Sequence, residues 1–191
     1  MQASTQTKDH RHRRSISSRV TRVDKPIVRS ARPEDVKQLF EFVVDLADYE
    51  RAPEAVVSTS DMLRQALFPT GTSPHLWAHV VIDPADPKRL AGGAIWHLNF
   101  STWEGQYGIY VEDLYVRPEF RGNGHGRALL AILAKICLER GYKRLQWSVL
   151  DWNEPSVDFY RGLGAKPLEE WIGYRLEGND LTGLASTGRG L

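Results

Sequence analysis

Three glycines alternate in Gly122-Asn123-Gly124-His125-Gly126, and three arginines, Arg117, Arg121 and Arg127, fall within eleven residues around them. Glycines at this spacing let the backbone turn tightly and bring bare N–H groups to a ligand. A helix starting at the same place adds the positive end of its dipole. The chemistry that suits such a loop is anion binding. It is not a Walker A loop, which needs four residues between its glycines and then Gly-Lys-Ser/Thr, and the G-x-G-x-G spacing is not that of a dinucleotide fingerprint. Taken alone, the segment reads equally as a glycine-rich turn on a solvated basic face. Just upstream, Glu112 and Asp113 interrupt an otherwise apolar run. On an ideal strand two neighbours point to opposite faces, so one of the two is expected to line a pocket.

The elements that must position these residues follow from hydrophobic spacing. Pro26–Arg29 predicts a short strand. Pro33 opens a helix whose apolar positions Val36, Leu39, Phe40, Val43, Val44, Leu46 and Ala47 follow a 3.6-residue period. Ser58 or Thr59 can cap a second helix through Leu67. Strands are predicted over Leu76–Ile82, Leu90–Phe100 and Gly108–Val116, then an amphipathic helix over Gly126–Arg140 stopped by Gly141. A strand over Leu145–Leu150, a helix over Pro155–Leu163 and a closing strand over Trp171–Leu176 complete the pattern. This order predicts an α/β fold, a mixed central β-sheet with helices on both faces.

Charge is unevenly placed in the 191 residues. Residues 1–25 carry 7 basic and 2 acidic side chains, while the remainder carries 18 basic and 22 acidic ones, so the formal net charge of +1 is a cancellation. The polar, Ser- and Arg-rich stretch 1–25 is expected to be a disordered basic tail, 26–177 one domain, and 178–191 a flexible C-terminal tail. Arg13-Arg14 lacks the apolar core of an export signal, and the tail lacks the apolar face of a transit peptide. No apolar run approaches the ~20 residues of a membrane span, which argues for a cytoplasmic chain with no membrane partner. The acidic domain and a tail without interleaved aromatics argue against nucleic acid. His10-Arg11-His12, His75, His79 and His97 show no metal-ligand spacing, so no metal is expected. Cys137, the single cysteine, falls on the apolar face of its helix and reads as inert core.

Arg121-x-x-Gly124-x-Gly126 resembles the coenzyme-binding signature of the GCN5-related N-acetyltransferases. Glu112-Asp113-Leu114-Tyr115-Val116-Arg117-Pro118 resembles that family's central strand. Asn153-Glu154-Pro155-Ser156 through Phe159-Tyr160, with Gly164-Ala165, resembles its second coenzyme-facing segment. Within the superfamily, Leu46-Ala47-x-Tyr49-Glu50, Trp103-x-Gly105 and Trp152-Asn153-Glu154-Pro155-Ser156 are most similar to the spermidine/spermine (diamine) and thialysine acetyltransferases. Ala52-Pro53, the basic tail and the irregular C-terminus depart from that pattern.

The resemblance implies acetyl transfer from acetyl-CoA, as co-substrate, to a primary amine of a small cationic molecule, by a homodimer. It implies coenzyme contacts from Leu114, Tyr115, Val116, Arg121, Gly122, Asn123, Gly124, His125, Gly126, Arg127, Asn153, Ser156 and Tyr160. Main-chain N–H groups along Leu114–Val116 would polarise the thioester carbonyl if the strand is bulged or splayed. Glu112 is the implied base for a protonated amine, and Tyr160 the implied acid for the leaving thiolate. Tyr49, Glu50, Trp103 and Glu112 are the implied amine pocket, since a cation favours carboxylates and aromatic faces. Two alternatives stay open: another amine (an amino acid, an aminoglycoside or a protein amino group), or a non-catalytic acyl-CoA-binding regulatory module.

Overall fold

Apolar residues at helical spacing bring α1 (Val36–Tyr49) onto the sheet through Val36, Leu39 and Phe42, all buried. Its entry is set by a 3-10 turn over Pro33–Asp35. Buried Asp35 accepts the Arg32 backbone N–H at 2.7 Å and a two-pronged contact from Arg29 at 2.5 and 2.9 Å. Two charge-assisted bonds in a fork are the geometry that makes a buried carboxylate tolerable. Thr59 caps α2 (Ser60–Leu67), its side chain accepting from the Met62 N–H at 3.2 Å. In the computed structural model, residues 25–188 are described; residues 1–24 of the expected basic tail and residues 189–191 lie outside them.

The sheet has five strands in sequence order: β1 (Val28–Ser30), β2 (Leu76–Asp83), β3 (Asp86–Ser101), β4 (Gln106–Val116) and β5 (Leu145–Trp147). The first three pairings are antiparallel and β4–β5 is parallel. Helix α3 (His125–Arg140) supplies the crossover between β4 and β5, burying Leu129, Leu130, Leu133 and Cys137 and ending at Gly141 with φ 72°. One face of the sheet packs under α1 and α2 around Val80, Leu90, Ile95 and Tyr115. Close approach requires glycine at Gly92 on β3, where a Cβ would stand 2.4 Å from the backbone oxygen of Tyr115. On the α3 side, Trp96 Nε1 donates to His79 Nδ1 at 3.1 Å, and His79 Nε2 lies 3.3 Å from Ser30 Oγ. Burial pushes the His79 imidazole below its ordinary value.

The chain forms two compact units, one through Trp147 and one from Ser148 onward. The second contains α4 (Glu154–Arg161) and α5 (Gly178–Ala185). Here two expectations are corrected. Trp171–Leu176 is not a strand: within its own unit no ladder is available to it, and strand propensity without a neighbour cannot hold a strand. The stretch after Gly178 is not a frayed end but a helix, in which Thr182 Oγ1 donates back to the Gly178 carbonyl at 3.2 Å. The predicted strand over Leu145–Leu150 stops at Trp147.

Candidate active site

The central strand changes parity at one residue. Ile95 pairs with Asp113 and Trp96 with Val111, so Glu112 has no partner on β3 and forms a bulge. Two backbone bonds confirm the switch. The Ile109 N–H donates away from β3, to Arg144 O at 3.0 Å, whereas the Arg117 N–H donates toward β3, to Ala91 O at 2.9 Å. Both are odd-numbered, and an unbroken strand would send both to the same side. Pairing with β5 also ends here, at Val111 opposite Trp147. Beyond that point, alternation aims the N–H groups of Leu114 and Val116 at the edge that β5 has left. The Tyr115 N–H is directed toward β3 instead, and its side chain is buried against Phe42 at 5.2 Å between ring centroids. Of the three main-chain donors expected along Leu114–Val116, the strand therefore offers two.

The bulge also corrects the expectation that Glu112 and Asp113 face opposite ways. Asp113 shares the α1 face with its partner Ile95, a member of the core under that helix. Glu112 lies on the same side: its Oε2 is 3.5 Å from Nε2 of His97, which sits two residues after Ile95 on β3. The pair differs in setting. Glu112 has a side chain 58% exposed. Burial first, then the nearby charges of Glu112 and Glu50, push the Asp113 carboxyl up to about 6. Burial likewise raises Glu50 at the end of α1. Three carboxylates thus converge where the helix meets the bulged strand, a setting that favours a cation.

The glycine loop follows β4 through a 3-10 turn at Pro118–Phe120. Gly122 and Gly124 adopt φ 76° and 82°, a left-handed conformation that L side chains rarely adopt. Gly124 caps α3 with no side chain at the cap. The N–H groups of His125, Gly126 and Arg127 in the first turn have no intrahelical acceptor, so they and the dipole present an anion site. His125 is buried, and its Nδ1 has no hydrogen-bond partner among the described residues. An orphaned donor or acceptor at this point fits a ligand on the loop.

The arginines divide. Arg127 is exposed beside the loop. Arg121 folds back, its Nε donating to Val116 O at 2.9 Å and its guanidinium 5.4 Å from the Tyr49 ring centroid and 5.7 Å from that of Tyr115. Arg117 is structural rather than a third loop cation: it donates to Leu90 O at 3.0 Å, reaches Glu41 at 3.3 Å and lies 4.9 Å over Phe42.

Trp103 is separated from Glu112 along the hairpin. Trp103 sits in the β3–β4 turn, 88% exposed, at the end of the hairpin remote from Glu112. With Ser101 paired to Gln106, the turn lies roughly 20 Å along the strands from the bulge at ~3.3 Å per residue. Within one chain Trp103 is therefore no wall of a pocket at Glu112. In the second unit Asn153 caps α4, its side chain accepting from the Ser156 N–H at 3.4 Å, and the Tyr160 ring lies 5.3 Å from Phe159. His97 had no signal in the sequence; only the register places it beside Glu112. In the same unit as Glu112, a cleft of about 770 Å³ opens between the end of α2 and β2–β4, with His97 in its wall. No group of metal-ligating side chains occurs among the described residues.

The chain is similar to known acetyltransferases. Residues 43–165 match the acetyltransferase (GNAT) family. The chain is 34% identical over 167 residues to a thialysine N-epsilon-acetyltransferase of Bos taurus, covering 83% of this chain and 96% of that protein. It is 28% identical over 197 residues to an L-ornithine N5-acetyltransferase of Arabidopsis thaliana, covering 82% and 86%. Among solved structures, an integron cassette protein of V. cholerae shares the fold with a TM-score of 0.68 at 23% identity, over 85% of this chain and 98% of that one. With the bulged, splayed central strand and the glycine loop at the head of α3, the chain belongs to the GNAT acetyltransferase family and is an acetyl-transferring enzyme.

Proposed function

We propose that this chain transfers acetyl from acetyl-CoA directly to the primary amine of a small cationic molecule, a thialysine- or lysine-like amino acid or a polyamine. The observation that carries the reading is the bulge at Glu112, which sets Glu112, Asp113 and Glu50 together on the α1 side of the strand. An amine protonated at neutral pH needs an anion to draw it in and a base to take its proton. Relatives named for thialysine and for ornithine, both small amino acids with a side-chain amine, support the same class.

Acetyl-CoA, when bound, supplies the acetyl thioester. Gly122, Asn123, Gly124, His125, Gly126 and Arg127 hold its phosphates through first-turn N–H groups and one exposed guanidinium, with Arg121 beside them. The Leu114 and Val116 N–H groups polarise the thioester carbonyl. Glu112 takes the ammonium proton, and Tyr49 and Glu50 line the approach. Tyr160 returns a proton to the leaving thiolate, and Asn153 and Ser156 position its helix. In this reading the enzyme acts as a cytoplasmic homodimer, which would bring in a Trp103 from another copy; light scattering checks the assembly.

Release of free thiol from acetyl-CoA across thialysine, ornithine, 1,4-diaminobutane, an aminoglycoside and a peptide amine tests the proposal. Thialysine, ornithine or the diamine is expected to lead, with Tyr160→Phe slowed near neutral pH. Coenzyme binding with no thiol release from any amine defeats the reading, and turnover of only the aminoglycoside or peptide defeats the substrate class.

A further inference from the structure

His97 contacts Glu112 and lines the open cleft, and one contact fixes the tautomer of its ring. Its Nδ1 lies 3.2 Å from the carbonyl oxygen of Leu98. A carbonyl only accepts, so Nδ1 carries the hydrogen. The other nitrogen, Nε2, then carries the lone pair and lies 3.5 Å from Glu112 Oε2. The ring packs against Tyr110, tilted 33° to it with 5.2 Å between centroids, its partner in the β3–β4 register. A lone pair beside a carboxylate is repulsive while both are deprotonated; it becomes favourable when one proton lies between them.

From this geometry we propose that His97 is a proton-relay residue for Glu112, passing the proton taken from the acceptor amine into the cleft. The inference rests on the amine-acetylation reading above. The substrate ammonium gives one proton to Glu112, leaving a neutral amine whose lone pair attacks the thioester carbon. Glu112 passes that proton to His97 Nε2 and returns to carboxylate. The imidazolium, with hydrogens on both nitrogens, releases the proton to water in the cleft. The second N–H proton, lost as the amide forms and the C–S bond breaks, goes to the thiolate. One proton therefore leaves per acetyl group, and His97 is its exit.

The surroundings suit an exit. The His97 side chain is 37% exposed and forms part of the wall of the 770 Å³ cleft. The ionisable groups near it are Glu112 and Tyr110 from β4, with Tyr107 and His75 lining the same cleft. Among the described residues no Asp, Glu, Lys or Arg lines the cleft, so no fixed charge from them traps the proton there. Imidazole is the side chain suited to accept and release a proton near neutral pH.

The test uses the full chain. His97→Gln keeps a side-chain N–H for the Leu98 carbonyl but has no basic lone pair. With saturating acetyl-CoA, kcat is expected to fall about tenfold with KM for the amine unchanged. His97→Ala is expected to regain rate as imidazole buffer is raised, and the wild type is not. Thermal midpoints of both variants should match the wild type, separating relay from folding. Nitrogen NMR of the wild-type ring should show the hydrogen on Nδ1. The relay is overturned if His97→Gln keeps full kcat, if imidazole restores nothing to a folded His97→Ala, or if the hydrogen resides on Nε2. A wild-type chain that acetylates no amine removes the amine reading and the relay with it. An active wild type with an indifferent His97→Gln removes the relay alone.

Discussion

Glu112 and Asp113 lie on the same face of β4, because the bulge at Glu112 cancels the alternation that would part them. Two adjacent carboxylates on one face cannot share a role equally. Glu112 is the more exposed of the two and contacts His97, while Asp113 is sunk toward the core beneath α1. Removing the charge at Glu112 should therefore strike the proton-transfer step. Glu112→Gln is expected to lower kcat roughly 100-fold, within the range of a lost general base. Initial rates of thiol release measure it, and a variant within twofold of wild type would show that the base is elsewhere.

Asp113 makes a prediction about stability. Its carboxyl is pushed up to about 6 from an ordinary 3.8, so between those values the folded chain holds a proton that the unfolded chain has lost. Folding is favoured below 3.8, and that advantage is lost as pH rises through 6. Asp113→Asn never ionises and escapes the loss. Urea unfolding at pH 8 should find the variant more stable by on the order of 2 kcal/mol, and at pH 4 nearly equal to wild type. Equal midpoints at both pH values would contradict the burial of the charge.

What the sequence discloses about this site divides by the kind of physics involved. The glycine loop is legible because left-handed φ at Gly122 and Gly124 needs a residue without Cβ, and that need is written at the position itself. The cap at Thr59 and the apolar stripe of α1 are legible for the same local reason. The bulge is not. Its presence depends on which β3 residue faces which β4 residue, and neither strand carries a glycine or proline at Glu112 to announce it. The role of Arg117 is hidden too, since its partners Leu90 and Glu41 are remote in sequence. Trp171–Leu176 misleads because alternating bulky residues report propensity, whereas a strand exists only with a neighbour.

His79 predicts acid sensitivity of opposite sign to Asp113. Its imidazole is buried, and its Nδ1 accepts from Trp96, so the folded form keeps it neutral. Its folded value is below the ordinary 6.5; its contribution is present above 6.5 and is lost as pH falls below it, because the unfolded chain then takes the proton first. The wild type should lose stability from pH 7 to pH 5 more steeply than His79→Gln, which cannot be protonated. Paired urea titrations at the two pH values check this, best in the Asp113→Asn background, where the opposing carboxyl is silent.

Gly124 tests whether the loop's backbone is itself the anion site. A Cβ there would meet nothing within 4 Å, so Gly124→Ala carries no clash. Its cost is the left-handed φ of 82°, about 1 kcal/mol for an L residue. Because α3 is anchored by Leu129, Leu130 and Leu133, the strain should be relieved by the loop rather than the helix, tilting the first-turn N–H groups away from their common focus. The expected result is a small loss of thermal stability with at least a tenfold weaker affinity for coenzyme A by calorimetry. Arg127→Ala, which leaves the backbone intact, should weaken binding less and only at low salt, as an exposed charge does. If Arg127→Ala costs more than Gly124→Ala, side-chain charge and not the helix N-terminus holds the phosphates.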